Sequence, residues 1–207
     1  YSIFFSIYSI ALHKSFVSQS DVGKFAQALW TTINRGELLK SNVHVCTANP
    51  SGSYFGRHFA PIVLALIPFF ALHQSPETLL VIKSFAVGFS ALPLYHISRK
   101  LLRSERLALS VTALYLLNPS LLSAQLFGFQ EQCFLPLFVF LMYLMYLRGS
   151  ALGFFSFLVL SLSVSEFVPI MLVMFFLGLA VSDYGLRKVF AKELWASQRS
   201  KWLLAAS

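Results

Sequence analysis

Glu77-Thr-Leu-Leu-Val-Ile-Lys-Ser-Phe-Ala-Val-Gly-Phe-Ser-Ala-Leu-Pro-Leu-Tyr-His-Ile-Ser98 runs directly into Arg99 and Lys100, with Arg103 and Arg106 close behind. A hydrocarbon layer takes about 20 residues of helix to cross, and this stretch is that long. Away from its first residue it carries a single charge, Lys83. Backbone amides in lipid must be satisfied within their own segment, so the stretch is expected to be a helix. Its basic end marks the cytoplasmic side, where short connections collect Lys and Arg.

The rest of the chain repeats this pattern. Hydrophobic residues make up 57% of it and charged residues only 12%, whereas a soluble domain carries about a quarter charged residues. The apolar blocks are continuous rather than alternating, which argues against a lipid-facing β-barrel. The expected fold class is all-α, a polytopic transmembrane helical bundle forming a single transmembrane domain over residues 1–207. Residues 1–13 read as a truncated first span, 14–76 as an outer loop with juxtamembrane helices, 77–182 as five spans and 183–207 as a basic cytoplasmic tail. The spans are Glu77–Ser98, Leu107–Phe127, Cys133–Leu147, Ala151–Val164 and Phe167–Val181. A further block, His58–His73, is interrupted by Pro61 and Pro68.

Charge placement orients the set. Arg99–Arg106, Arg148, and Arg187 with Lys188 and Lys192 form three basic connections, while Gly128–Gln132 and Ser163–Glu166 contain no Lys or Arg. With a first helix that runs outward, all three basic connections fall inside only if His58–His73 does not cross, so that block is expected to be interfacial or re-entrant on the outer face. The net charge of +8 then anchors the protein to the anionic inner leaflet and gives no reason to invoke nucleic acid. The expected location is the cell membrane, as a multi-pass protein whose first partner is the bilayer.

The outer loop is the most polar part of the chain. Val22, Phe25, Leu29 and Ile33 share one helical face, so Asp21–Ile33 is expected to be a surface helix capped by Ser20 or Asp21 and closed by Asn34, Arg35 and Gly36. Ser41–Gly56, with Asn49-Pro-Ser-Gly52, is expected to be a loop. Cys46 and Cys133 could pair, and the five histidines lack the close spacing of a zinc site.

Asp21, His58, Glu131 and Glu166 come from four different connections, and all fall at the outer face in this topology. An ionisable group at membrane depth is costly unless it meets a cavity or a partner. Asp21, His58 and Glu166 are therefore expected to line one outer cavity, with Gln130 and Glu131 at its rim and Lys83 beneath, held charged by the carboxylates. Each also has an ordinary reading. Asp21 can cap a helix, His58 can be interfacial, Glu131 can be solvated, and Lys83 can snorkel to the headgroups.

Asp21-Val-Gly-Lys-Phe-Ala-Gln-Ala-Leu-Trp30, Arg57-His-Phe-Ala-Pro61, Pro76-Glu-Thr-Leu-Leu80, Leu92-Pro-Leu-Tyr95, Tyr115-Leu-Leu-Asn-Pro119 and Leu126-Phe-Gly-Phe-Gln130 together resemble the membrane protein family called domain of unknown function 2079. The layout is similar to the superfamily of membrane glycosyltransferases of the GT-C fold. That resemblance implies a first span leading to an outer loop with two juxtamembrane helices. It further implies transfer of a hexosyl or pentosyl unit from a polyprenyl-phosphate-linked donor at the outer face. Asp21 occupies the superfamily's acidic catalytic or metal-binding position, His58 a polar position before proline, and Glu166 an acidic position on a later outer turn. The chain departs from the family pattern at Ala26 and Gly128, where the pattern has Asp, at Gln130, where it has His, and at Ser165, where it has Lys.

Two functions follow as expectations. In a glycosyltransferase, Asp21, His58 and Glu166 are the catalytic candidates and Asp21 the best base for an acceptor hydroxyl. Lys83, Arg57 and Arg35, with Gln130 and Glu131, would hold the lipid-phosphate donor, and Asp21 and Glu166 offer oxygen ligands for a divalent metal, Mg or Mn. The alternative is a non-catalytic transporter or lipid-binding membrane protein, for which the interruption at Ser163–Pro169 would be a discontinuous helix at a binding site.

Overall fold

The structure is a computed structural model that describes residues 1–16 and 21–184, the last three by backbone alone. The Ser20 cap and the basic tail with Arg187, Lys188 and Lys192 lie outside those residues. Among the described residues every regular element is helical, apart from isolated bridges at Lys40–Ser53 and Cys46–Asn49.

The organising element is α4 (Pro76–Leu102), which extends the expected Glu77–Ser98 span at both ends. Pro76 occupies its first turn, where a missing N–H costs nothing. Arg99 and Lys100 sit in its last turn, and Arg103 closes it at φ 53°. Around it pack α1 (Ser2–Lys14), α5 (Glu105–Leu116) and α7 (Leu135–Arg148), and α7 in turn carries α8 (Ala151–Leu162). Gly88 allows α1 to approach closely, since a Cβ there would strike the Ser2 hydroxyl. Small residues at such crossings are how helices pack when lipid removes the hydrophobic drive between them.

The expected span Leu107–Phe127 is broken. α5 ends at Leu116, α6 runs over Pro119–Leu126, and the two are bent by 44°. Proline has no N–H and disfavours helical backbone in the residue before it. Asn118 is accordingly extended, and its side chain accepts the Ser120 N–H at 2.9 Å to cap the new helix. α4 and the segment Glu131–Arg148 are long and apolar enough to cross a membrane, or three segments are if the bent pair counts as one span. α8 and α9 (Val168–Tyr184) are apolar but shorter than that measure.

The block His58–His73 becomes a 3-10 turn at Pro61–Leu66 followed by α3 (Ile67–Leu72), together too short to span. The segment expected to form the outer loop is packed rather than loose. α2 (Asp21–Arg35) buries Val22, Phe25 and Leu29 against Leu39, Tyr54, Val63, Phe70, Leu79 and Phe129. Ser41–Gly56 is irregular, as expected, except for single 3-10 turns at Asn42–His44 and Tyr54–Gly56.

Candidate functional site

The centre of the candidate site is a residue the sequence did not single out. Tyr54, 2% exposed, stacks its ring near those of Phe25, His44 and His58, with centroids 5.1, 5.3 and 5.4 Å away. Its hydroxyl donates to Glu131 Oε1 at 2.8 Å, and Gln132 Nε2 donates to the same oxygen at 3.0 Å. Burial pushes the phenol well above its ordinary value, and the negative charges of Glu131, Glu166 and Asp21 push it further. The phenol therefore stays protonated as a donor, within the field of all three carboxylates.

Glu166 lies in the turn between α8 and α9, and pairs with His58 across 108 residues of sequence. Its Oε1 is 3.0 Å from His58 Nδ1 and its Oε2 accepts the Phe59 N–H at 3.1 Å. Close by, Ile62 N–H donates to Ser163 O at 2.9 Å, so the segment after Tyr54 is tied to the α8–α9 turn at two points. Burial works to raise the Glu166 carboxyl. The hydrogen bonds from His58 and from the backbone N–H groups of Glu166 and Phe59, with the His58 charge, outweigh it and hold the group below its usual range. Both side chains remain partly open, 42% for His58 and 32% for Glu166, so the pair is reachable by a solute.

Asp21 opens α2, where an anion is favoured by the helix N-terminus. Its Oδ1 meets Lys24 Nζ at 3.1 Å and its Oδ2 accepts from Gln130 Nε2 at 3.3 Å. Gln130 directly precedes Glu131, so contacts run from Asp21 through Gln130, Glu131, Tyr54 and His58 to Glu166. Nearby, burial and the positive charges of Lys24, Arg57 and His58 lower the affinity of His44 for a proton.

Several expectations need correction. Glu131 is 5% exposed and serves as a buried acceptor, not a rim residue. Lys83 is 2% exposed and neither snorkels nor meets carboxylates. Its ammonium donates to Gln125 O at 2.7 Å and Phe127 O at 2.6 Å, carbonyls that the end of α6 leaves without helical partners. Ser9 Oγ also donates to Gln125 O, at 2.9 Å. Lys83 and Gln130 line a cavity of about 370 Å³ together with Ser120, Ser123, Gly128 and Cys133, and neither Asp21, His58 nor Glu166 lines it. Arg57 is exposed beside His58, whereas Arg35 stands at the far end of α2, over the Trp30 ring. Cys46 and Cys133 are both free thiols. Of the two expected metal ligands, Asp21 is engaged by Lys24 and Gln130 and Glu166 by His58 and Phe59. No group of three His, Cys, Asp or Glu side chains suited to a cation occurs among the described residues.

Tyr54, Gln132, His44 and Lys24 were the residues missed. The only sequence signal for Tyr54 is its spacing of four before His58, which the turn uses when His58 N–H donates to Tyr54 O at 2.9 Å. At the departures from the family pattern, Ala26 and Ser165 are buried, Gly128 borders the Lys83 cavity, and Gln130 contacts Asp21.

The family model described as "Predicted membrane protein (DUF2079)" matches residues 12–205, and the chain belongs to that family. No curated protein and no solved structure matches it.

Proposed function

We propose that this member of the family is a multi-pass, GT-C-like glycosyltransferase of the cell membrane. It would move a hexosyl or pentosyl unit from a polyprenyl-phosphate-linked donor to an acceptor hydroxyl at the outer face. The observation that carries the reading is the partly open His58–Glu166 pair, joined through Tyr54 and Glu131 to Asp21. A carboxylate on Nδ1 orients an imidazole so that Nε2 holds the lone pair, which is the arrangement of a general base.

In that reaction His58 Nε2 takes the acceptor proton while the acceptor oxygen bonds to the anomeric carbon. The bond from that carbon to the phosphate oxygen breaks, and its electrons leave on the polyprenyl phosphate. Arg57 and Lys24 are the exposed or partly exposed cations beside the pair and beside Asp21, suited to the leaving phosphate. Lys83, held by two carbonyls, keeps the Gln125–Gln130 turn in place instead. Asp21, with each oxygen already engaged, orients the acceptor through Gln130.

Purified full-length protein incubated with polyprenyl-phosphate sugars and analysed by mass spectrometry should yield a glycosylated product. His58→Ala and Glu166→Gln should each lower the rate at least about 100-fold, the lower end of what a positioned base contributes. Parental rates in both variants would remove the assignment. The topology behind the reading is tested separately in intact cells. A cysteine introduced at Ser51 should be labelled from outside and one at Ser104 should not, in a background lacking Cys46 and Cys133.

A non-catalytic transporter or lipid-binding role is the second reading, favoured by the Lys24–Asp21 ion pair, which occupies the acidic position on which catalysis in the superfamily would depend. It predicts saturable binding of the lipid-linked sugar with no product.

A further inference from the structure

Arg35 lies some 14 residues along α2 from Asp21, about 20 Å at 1.5 Å per residue, and there it borders a second polar cavity of about 230 Å³. Its walls include Gln27, Trp30, Arg35, Glu37, Lys40 and Asn42. Gly36, at φ 69°, turns the chain back over the end of α2. The returning strand of loop is fixed by Leu39 N–H donating to Thr32 Oγ1 at 2.8 Å and Thr31 Oγ1 donating to Lys40 O at 2.6 Å. Gln27 Oε1 accepts from Ser41 Oγ and from Asn42 N–H, both at 3.1 Å, which orients the amide and leaves its NH₂ as a donor.

The charges in this cavity do not cancel. Glu37 is taken by Lys40 at 2.7 Å. The Arg35 guanidinium stands 5.4 Å from the Trp30 ring centre and has no carboxylate partner among the described residues. A guanidinium that shares a cavity with an amide donor is matched to an oxyanion, phosphate above all. Among its walls Trp30 is exposed, and Leu38 and Val43, the chain neighbours of the lining residues Glu37 and Asn42, are exposed as well. Asn34 Nδ2 donates to Gln74 Oε1 at 2.8 Å, which fastens this end of α2 to the turn just before α4, where a membrane-crossing helix begins. An indole at that level belongs to the headgroup layer.

We propose that this cavity is a phospholipid site, in which Arg35 and Gln27 hold the headgroup phosphate of an anionic glycerophospholipid and Trp30, Leu38 and Val43 cover the upper part of its chains. A free phosphate would satisfy the guanidinium but leave the exposed Trp30, Leu38 and Val43 in water. A choline headgroup would bring its own cation against Arg35 and Lys40, so a headgroup without one is favoured. The site is separate from Asp21 and His58 and stands whether or not the protein transfers sugar.

The test uses the full chain in detergent with Trp195→Phe and Trp202→Phe, which leave Trp30 as the sole indole of the three. Trp30 emission is followed during titration with short-chain phosphatidylglycerol, short-chain phosphatidylcholine and inorganic phosphate. Phosphatidylglycerol should give a saturable blue shift at lower concentration than phosphatidylcholine. Arg35→Ala and Arg35→Gln should each raise the midpoint at least about tenfold, as loss of a charge-assisted pair predicts, and Arg35→Lys should fall between. An unchanged midpoint in both neutral variants overturns the proposal. So does a response to inorganic phosphate as tight as that to phosphatidylglycerol, or no saturable response to any of the three.

Discussion

α2 and α9 are both helices rich in apolar residues, yet they treat those residues in opposite ways. α2 hides Val22, Phe25, Ala28 and Leu29 on one face and leaves Trp30, Asn34 and Arg35 outside. α9 leaves Ile170, Met171, Val173 and Met174 exposed on its surface and, among its described side chains, buries only Val168 and Leu172. A helix beside water must bury an apolar stripe, while a helix in lipid gains nothing from hiding Leu or Met from a solvent just as apolar. The difference between the two surfaces is the one expected of a helix beside water and a helix beside lipid, and the polar network around Tyr54 packs against α2.

The largest effect expected from breaking this contrast is Phe25→Ala. Phe25 is 1% exposed and packs on both Tyr54 and Phe129, so its loss should cost about 3–5 kcal/mol. Thermal unfolding in detergent would show it, and Met174→Ala in α9 should leave the midpoint almost unmoved. Equal shifts in the two variants would mean that α9 is also packed against protein. Met174→Lys comes next. A charge in the middle of a lipid-facing segment costs about 2.5–3.5 kcal/mol on insertion scales, so membrane-inserted yield should fall, whereas Asn34→Lys in α2 should insert as the parent does.

Smaller in size is Tyr54→Phe, which keeps the ring and removes the hydroxyl. Glu131 would retain Gln132 but lose its phenol donor, at about 1–3 kcal/mol for an under-satisfied buried acceptor. The same variant should disturb the His58 resonance, since the two rings are in contact; an unshifted resonance would separate Tyr54 from the site. The smallest effect concerns pH. Because the Glu166 carboxyl is held below its usual range, its ionised form is favoured in the folded state. Its contribution is present above the ordinary carboxylate value and is lost as pH falls through the lowered one. The Phe59 amide, which donates to Glu166, should be protected from hydrogen exchange at neutral pH and lose that protection in acid. Persistence of its protection well below the carboxylate range would detach the amide from the carboxylate.

Patterns within one segment were legible in advance. The stripe of α2, the span that became α4 with its basic end, and the failure of His58–His73 to make a span all follow from local periodicity, length and charge. The Asn118-Pro119 pair was visible too, but its weight was misjudged. A long apolar run suggested one helix, and the extended backbone required before proline divided it. Lys83 was recognised as unusual, though not its partners, because the carbonyls of Gln125 and Phe127 become available only once α6 ends beside α4.

The amino-acid sequence by itself determined the class of solvent each segment must face, since transfer of apolar and charged groups between water and lipid depends on residue type and run length alone. Only the tertiary structure decided which polar groups meet. Tyr54 reaches Glu131 across 77 residues and His58 reaches Glu166 across 108. Such contacts require donor and acceptor atoms about 3 Å apart, and no spacing along the chain encodes a distance that short between elements so far apart.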